Sequence, residues 1–127
     1  MIIAVDFDGT ITENGHWPDV GPAIPGAIQA LNYLHWMGHK IIVNSCRAGD
    51  AEAKMKEWIL ENKIPVDAIN ENLIERSDKF GGDCRKISAD IYIDDKNVFS
   101  RGIFWQSIVR EIDSLEEIRR HSQERDL

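Results

Sequence analysis

The chain has 127 residues, which is enough for one domain with a hydrophobic core. Its formal net charge of −7 argues against a nucleic-acid-binding surface, because phosphate backbones attract basic faces. No apolar run approaches the roughly 20 residues of a membrane span, and Asp6 interrupts the N-terminal run, so neither a membrane anchor nor a signal peptide is expected. We expect a cytoplasmic protein that forms a single domain over residues 1–127, with its two distant cysteines reduced.

Short apolar runs alternate with helical patterns along the chain. The predicted strands are Ile2–Val5, Lys40–Asn44, Val66–Ile69 and Asp90–Ile93. Apolar residues at helical spacing predict helices over 25–37, 50–62, 73–80, 104–112 and 114–120. Asp50 is the predicted N-cap of the second helix, and Ser114–Glu117 is a capping box that opens the last one. The alternation predicts an α/β, three-layer Rossmann-like fold with a mainly parallel sheet and helices on both faces.

Carboxylates follow the first and the fourth predicted strands. The first strand runs into Asp-Phe-Asp-Gly-Thr at positions 6–10, and the fourth runs into Asp94 and Asp95. Asp and Gly after a strand also occur in ordinary turns. However, four acids at two strand ends repel one another unless a cation lies between them. Ligands of open α/β sheets bind at the carboxyl ends of strands, so the pattern indicates a hard divalent cation, Mg²⁺.

In their order along the chain, these motifs resemble those of the haloacid-dehalogenase (HAD) superfamily of phosphohydrolases. The string Val5–Thr10 resembles the first motif, Ser45 at a strand end the second, Lys86 the third, and Asp94-Asp95 the fourth. The resemblance covers nearly the whole chain. Neither gap that holds a cap domain in the superfamily has room for one here, which implies a capless member. The implied activity is a Mg²⁺-dependent phosphatase acting on a small phosphorylated metabolite, such as a sugar phosphate.

The resemblance also implies a role for each motif residue. Asp6 is the nucleophile that forms an aspartyl-phosphate, and Asp8 is the general acid and then the base. The implied Mg²⁺ ligands are Asp6, Asp8 through its main-chain carbonyl, Asp94 and Asp95. The implied phosphate-binding residues are Ser45, Lys86, Gly9 and Thr10.

Several assignments stay open at this stage. Asn44 competes with Ser45 for the phosphate contact, and Lys79 and Lys96 compete with Lys86. Further residues either contact substrate or only pack in loops: Arg47, Trp17 and Asn70.

Three other functional classes compete with the phosphatase. A signalling receiver domain has a similar length, but its acidic pair follows the first strand and its phospho-accepting Asp ends a middle strand, the reverse of this layout. A catalytically idle binding or regulatory subunit would keep the fold without turnover. A phosphotransferase would differ only in the molecule that accepts the phosphoryl group from Asp6.

Overall fold

The computed structural model describes residues 1–82, 84–99 and 101–125. The strands are β1 (Ile2–Asp6), β2 (Lys40–Asn44), β3 (Ala68–Ile69) and β4 (Ile91–Ile93). The helices are α1 (Ala27–Trp36), α2 (Gly49–Glu61), α3 (Ile74–Lys79) and α4 (Trp105–Arg125). The four strands form one parallel sheet in the order β3-β2-β1-β4. The predicted α/β class and parallel sheet are confirmed, and the described residues contain no large cap domain.

The central strand β1 is buried on both faces, because its apolar side chains alternate between two packed layers. Ile3 and Val5 belong to the larger core, on the side of the sheet that carries most of the helical packing. Buried residues of three helices complete this core, among them Leu31 of α1, Met55 of α2 and Ile112 of α4. Ile2 and Ala4 face the smaller core, which includes Ile87 from the chain after α3.

The parallel arrangement brings the carboxyl ends of the strands to one edge of the sheet. β1 lies between β2 and β4, and its last residue, Asp6, pairs in register with Asn44. Val5 pairs with Ile93, so Asp94 leaves β4 beside Asp6. Acidic residues that are far apart in the sequence are therefore neighbours at this edge.

The two helices predicted over 104–112 and 114–120 are wrong as separate elements. They form the single helix α4. Apolar residues continue at helical spacing from Ile108 through Ile112 to Leu115, so the helical stripe runs straight across the capping-box sequence.

Two smaller predictions also need correction. Asp50 is not an N-cap, because α2 begins one residue earlier, at Gly49, and Ala48 is its N-cap without a side-chain hydrogen bond. Asp50 instead lies in the first helical turn, where a negative charge is favourable. The third strand covers only Ala68–Ile69. Among the helices described here, none has the length and apolar character needed to cross a membrane.

Candidate active site

Three aspartates from two neighbouring strands converge beyond the edge of the sheet. Asp6 ends β1, and Asp94 and Asp95 follow β4. One carboxylate oxygen of each lies within 4.8 Å of the other two. Three like charges this close are unfavourable without a cation, and carboxylate oxygens are the ligands that hard divalent ions prefer. The chemistry of these donors therefore fits Mg²⁺.

The surroundings of Asp6 disfavour its negative charge. Burial and then the charge of Asp94 raise the pKa of Asp6 from an ordinary value of 3.8 to about 7. The hydroxyl of Thr10 acts in the opposite direction, because it donates a hydrogen bond to Asp6 Oδ2 over 3.1 Å. A cation among the three carboxylates would stabilise the ionised form of Asp6.

Thr10 connects the two acidic strand ends. Its hydroxyl, besides donating to Asp6, accepts the backbone N–H of Asp95 over 3.1 Å. Its carbonyl accepts the indole N–H of Trp105 over 3.0 Å, and the residue is fully buried. Thr10 was predicted to bind phosphate, but these contacts direct its hydroxyl to the aspartates.

Gly9 forms a sharp turn directly after Asp8. Its φ is +86°, in the left-handed region that favours glycine. A Cβ at this position would lie 2.6 Å from Asp95 Oδ2 and 3.0 Å from Asp95 Cγ. The absence of a side chain thus lets the first turn pack directly against Asp95.

Asp8 is held by Arg47, which lies in the loop after β2. Nε and Nη2 of Arg47 donate to the two carboxylate oxygens of Asp8 over 2.7 and 2.8 Å. The other N–H groups donate to main-chain carbonyls, those of Pro18 and Ala51 from Nη1 and that of Asp19 from Nη2. All five guanidinium donors are used, and the Arg47 side chain is only 2% exposed. Arg47 orients Asp8 and has no free donor for a phosphate group in this arrangement.

Asn70, which follows β3, holds the loop that carries Ser45. Its Oδ1 accepts the backbone N–H of Ser45 over 2.6 Å, and its Nδ2 donates to Glu52 Oε2 over 3.0 Å. The backbone N–H of Arg47 donates to Ser45 Oγ over 3.0 Å, which leaves the hydroxyl proton of Ser45 available. Asn70 therefore contributes to the site indirectly, by fixing the position of the loop that carries Ser45.

These groups surround a cavity of about 450 Å³ at the sheet edge. Eight residues singled out from the sequence line it: Asp6, Asp8, Trp17, Ser45, Arg47, Asp94, Asp95 and the competitor Lys96. Four others line it as well: Asn14, Gly15, Asp19 and Cys46. Among the described residues, the remaining candidates do not line it: Gly9, Thr10, Asn44, Asn70, Lys79 and Lys86.

Lys86, the lysine that the sequence predicts for the phosphate site, does not line the cavity. Lys86 places its ammonium 5.4 Å from the ring centroid of Tyr92. Lys96, which the sequence leaves as a competitor, follows the acidic pair directly and lines the cavity. Its backbone N–H donates to Asp94 Oδ1 over 2.9 Å, which holds the start of the following chain close to the Asp94 carboxylate.

The residues that sequence reasoning missed come from the loop between Glu13 and Pro22. Asn14, Gly15 and Asp19 line the cavity, although none belongs to a recognisable motif. The backbone N–H of Glu13 donates to the carbonyl of Pro22 over 2.8 Å, which closes the neck of this loop. The available signal was a polar, Gly- and Pro-containing segment directly after the first acidic pair.

Comparisons with known proteins establish the relationship of this chain at the level of fold and family. Neither a scan against protein-family models nor a search of curated proteins found a match. A solved structure of a conserved protein from Bacteroides thetaiotaomicron is similar, with 36% sequence identity and a TM-score of 0.78. The alignment covers 90% of each chain. This chain belongs to the same family as that conserved protein. The description of the relative gives no activity.

Proposed function

We propose that the protein is a Mg²⁺-dependent phosphomonoesterase of the HAD type, without a cap domain, acting on a small phosphorylated metabolite such as a sugar phosphate. One observation carries the proposal. Three carboxylates converge within 4.8 Å at the carboxyl edge of a parallel sheet, beside a fourth carboxylate that a buried arginine orients. The order of the motifs along the chain supports the same superfamily.

Asp6 is the nucleophile in this proposal. One of its carboxylate oxygens attacks phosphorus, the bond from phosphorus to the leaving oxygen breaks, and an aspartyl-phosphate forms. Asp8 donates a proton to the leaving oxygen and afterwards accepts one from the water that hydrolyses the aspartyl-phosphate. The contacts of Arg47 keep the Asp8 carboxyl group in one position, beside the atoms between which the protons move.

The residues that would hold Mg²⁺ are Asp6, Asp94 and Asp95, with the Asp8 main-chain carbonyl as the superfamily resemblance implies. When bound, the cation offsets the repulsion between the Asp6 carboxylate and the phosphate dianion. Ser45 donates its free hydroxyl proton to a phosphoryl oxygen. A lysine supplies positive charge to the transferring group. Lys96 is better placed for this than Lys86, because it lines the cavity.

The first experiment measures hydrolysis of an aryl phosphate by the purified protein with and without Mg²⁺. We expect turnover that requires Mg²⁺ and that falls by about 1,000-fold or more in an Asp6→Asn variant. Asp50→Asn is a matched control, because Asp50 is an exposed carboxylate on α2 that lies outside the cavity. Equal turnover by the wild-type and Asp6→Asn proteins would overturn the assignment. Absence of turnover on a broad panel of phosphomonoesters would favour a regulatory role.

A further inference from the structure

We propose that the leaving group of the substrate carries an uncharged aromatic ring, and that this ring stacks on the exposed face of Trp17. The inference rests on the proposed phosphatase function and narrows its substrate class. The contacts of Arg47 support it, because one guanidinium touches both the proton donor Asp8 and the indole ring of Trp17.

Trp17 lies in the loop between Glu13 and Pro22, and hydrogen bonds from Arg47 hold this loop in place. The Arg47 guanidinium lies 4.8 Å from the centroid of the indole ring and covers one of its faces. The same guanidinium donates to the carbonyls of Pro18 and Asp19, over 2.7 and 3.2 Å, so the chain directly after Trp17 is tied down. Trp17 is nevertheless 65% exposed. An aromatic ring fixed on one side and open on the other is suited to stacking.

Trp17 is placed to contact the leaving group of the substrate rather than its phosphate group. The leaving oxygen must lie beside Asp8, because Asp8 gives it a proton in the proposed mechanism. Asp8 and Trp17 line the same cavity, and Arg47 contacts both of them. A group that extends from the leaving oxygen across this cavity therefore reaches the face of the indole that Arg47 leaves uncovered.

Charge around the cavity disfavours a second anionic group on the substrate. The cavity is lined by five aspartates: Asp6, Asp8, Asp19, Asp94 and Asp95. Its two cationic residues are Lys96 and Arg47, and the donors of Arg47 are already used within the protein. An additional phosphate or carboxylate would meet carboxylates without a free guanidinium. Stacking of an uncharged ring does not incur this repulsion.

The test compares two substrates that break the same kind of ester bond. A nucleoside 5′-monophosphate carries an aromatic base, whereas ribose 5-phosphate has the same primary leaving oxygen without a base. Stacking on one aromatic side chain is expected to favour the first by about 5- to 150-fold in kcat/KM. Trp17→Ala should remove most of this preference by raising KM for the nucleotide more than KM for ribose 5-phosphate. Trp17→Phe should retain part of it.

Trp36→Ala is the matched control, because Trp36 is 79% exposed on α1 and lies outside the cavity. Binding of both compounds to the Asp6→Asn protein, measured by calorimetry, gives a second readout that needs no turnover. The proposal is overturned if Trp17→Ala weakens the binding of both compounds equally, or if the wild-type protein does not prefer the nucleotide in either assay. If the binding preference is present but the protein shows no turnover that depends on Asp6, the result would instead contradict the proposed phosphatase function.

Discussion

Replacing Arg47 tests how the acidic site is held together. Arg47→Met keeps an unbranched apolar stem of similar reach but removes all five N–H donors. The change leaves the Asp8 carboxylate without its paired cation, and it leaves the carbonyls of Pro18, Asp19 and Ala51 without the donors they now have. The loop over the cavity should loosen as a result.

The size of this effect follows from burial. Breaking a buried ion pair by removing one partner costs about 3–5 kcal/mol. The Asp8 side chain is 27% exposed, so water can partly replace the lost donors, and we expect the lower end, about 3 kcal/mol. For a domain of this size, a loss of about 3 kcal/mol lowers Tm by about 12 °C.

Urea denaturation and thermal unfolding measure this loss in free energy. The control is Arg110→Met, which removes an exposed arginine of α4 and should change the free energy of unfolding by less than about 0.5 kcal/mol. A double-mutant cycle with Asp8→Ala isolates the pair, because the second change should cost much less once the first is made. A loss below about 1 kcal/mol for Arg47→Met would refute the view that this contact organises the site.

The same variant makes a kinetic prediction if the proposed function holds. An alkyl phosphate needs a proton on its leaving oxygen, whereas 4-nitrophenyl phosphate has a leaving group that is stable without one. If Arg47 acts by placing Asp8, Arg47→Met should lower kcat for the alkyl substrate by about 100-fold or more and for the aryl substrate by less than about tenfold. Equal losses on both substrates would show that Arg47 supports the fold alone.

Three further predictions concern the acidic cluster. Because the pKa of Asp6 is raised from 3.8 to about 7, the folded metal-free protein holds this proton more tightly than the unfolded chain, so this carboxyl lowers stability as pH rises from about 4 to 7. Mg²⁺ binds the ionised carboxylate, so the increase in Tm on adding Mg²⁺ should grow from pH 5 to pH 8, as Asp6 loses its proton. Gly9→Ala should weaken Mg²⁺ binding by about tenfold or more, because the added Cβ would displace Asp95. Gly38→Ala is the control: Gly38 also has a positive φ, but its added Cβ would meet no neighbouring atom, so the change should affect stability alone. Thr10→Val should also weaken Mg²⁺ binding by about tenfold, as calorimetry can measure, and Thr10→Ser should restore it.

The placement of the acidic cluster could be predicted because strong local signals and one topological rule were enough. Apolar runs that end in Asp6 and in Asp94 identify two strands, and parallel strands have their carboxyl ends at one edge. In the structure, one carboxylate oxygen each of Asp6, Asp94 and Asp95 lies within 4.8 Å of the other two. The ion and the chemistry stay predictions, since the related structure is described only as a conserved protein.

The partners of Arg47 could not be predicted, because they depend on where three separate segments meet. Arg47 contacts the first turn, the loop at 18–19 and the start of α2, and no periodic pattern links those positions. Lys86 illustrates the same limit. It precedes β4 at a spacing that matches the superfamily, but its side chain lies over Tyr92, whereas Lys96 lines the cavity.

The capping-box prediction at Ser114 shows a different limit. A sequence that favours a helix start is tolerated inside a helix when the apolar stripe continues through it, as it does from Ile112 to Leu115. Local propensity predicted a break at this point, and packing of α4 against α1 overrides it.

The most direct test of the proposed function is to capture the phosphoryl group on Asp6. Brief mixing of the protein with Mg²⁺ and substrate, followed by acid quench and borohydride reduction, converts a phosphorylated aspartate into homoserine. Peptide mass spectrometry then identifies the position. We predict reduction at position 6, dependent on Mg²⁺ and on substrate, and absent from the Asp6→Asn protein. Rapid Mg²⁺-dependent turnover with no modification at position 6, or with modification at another carboxylate, would contradict the account.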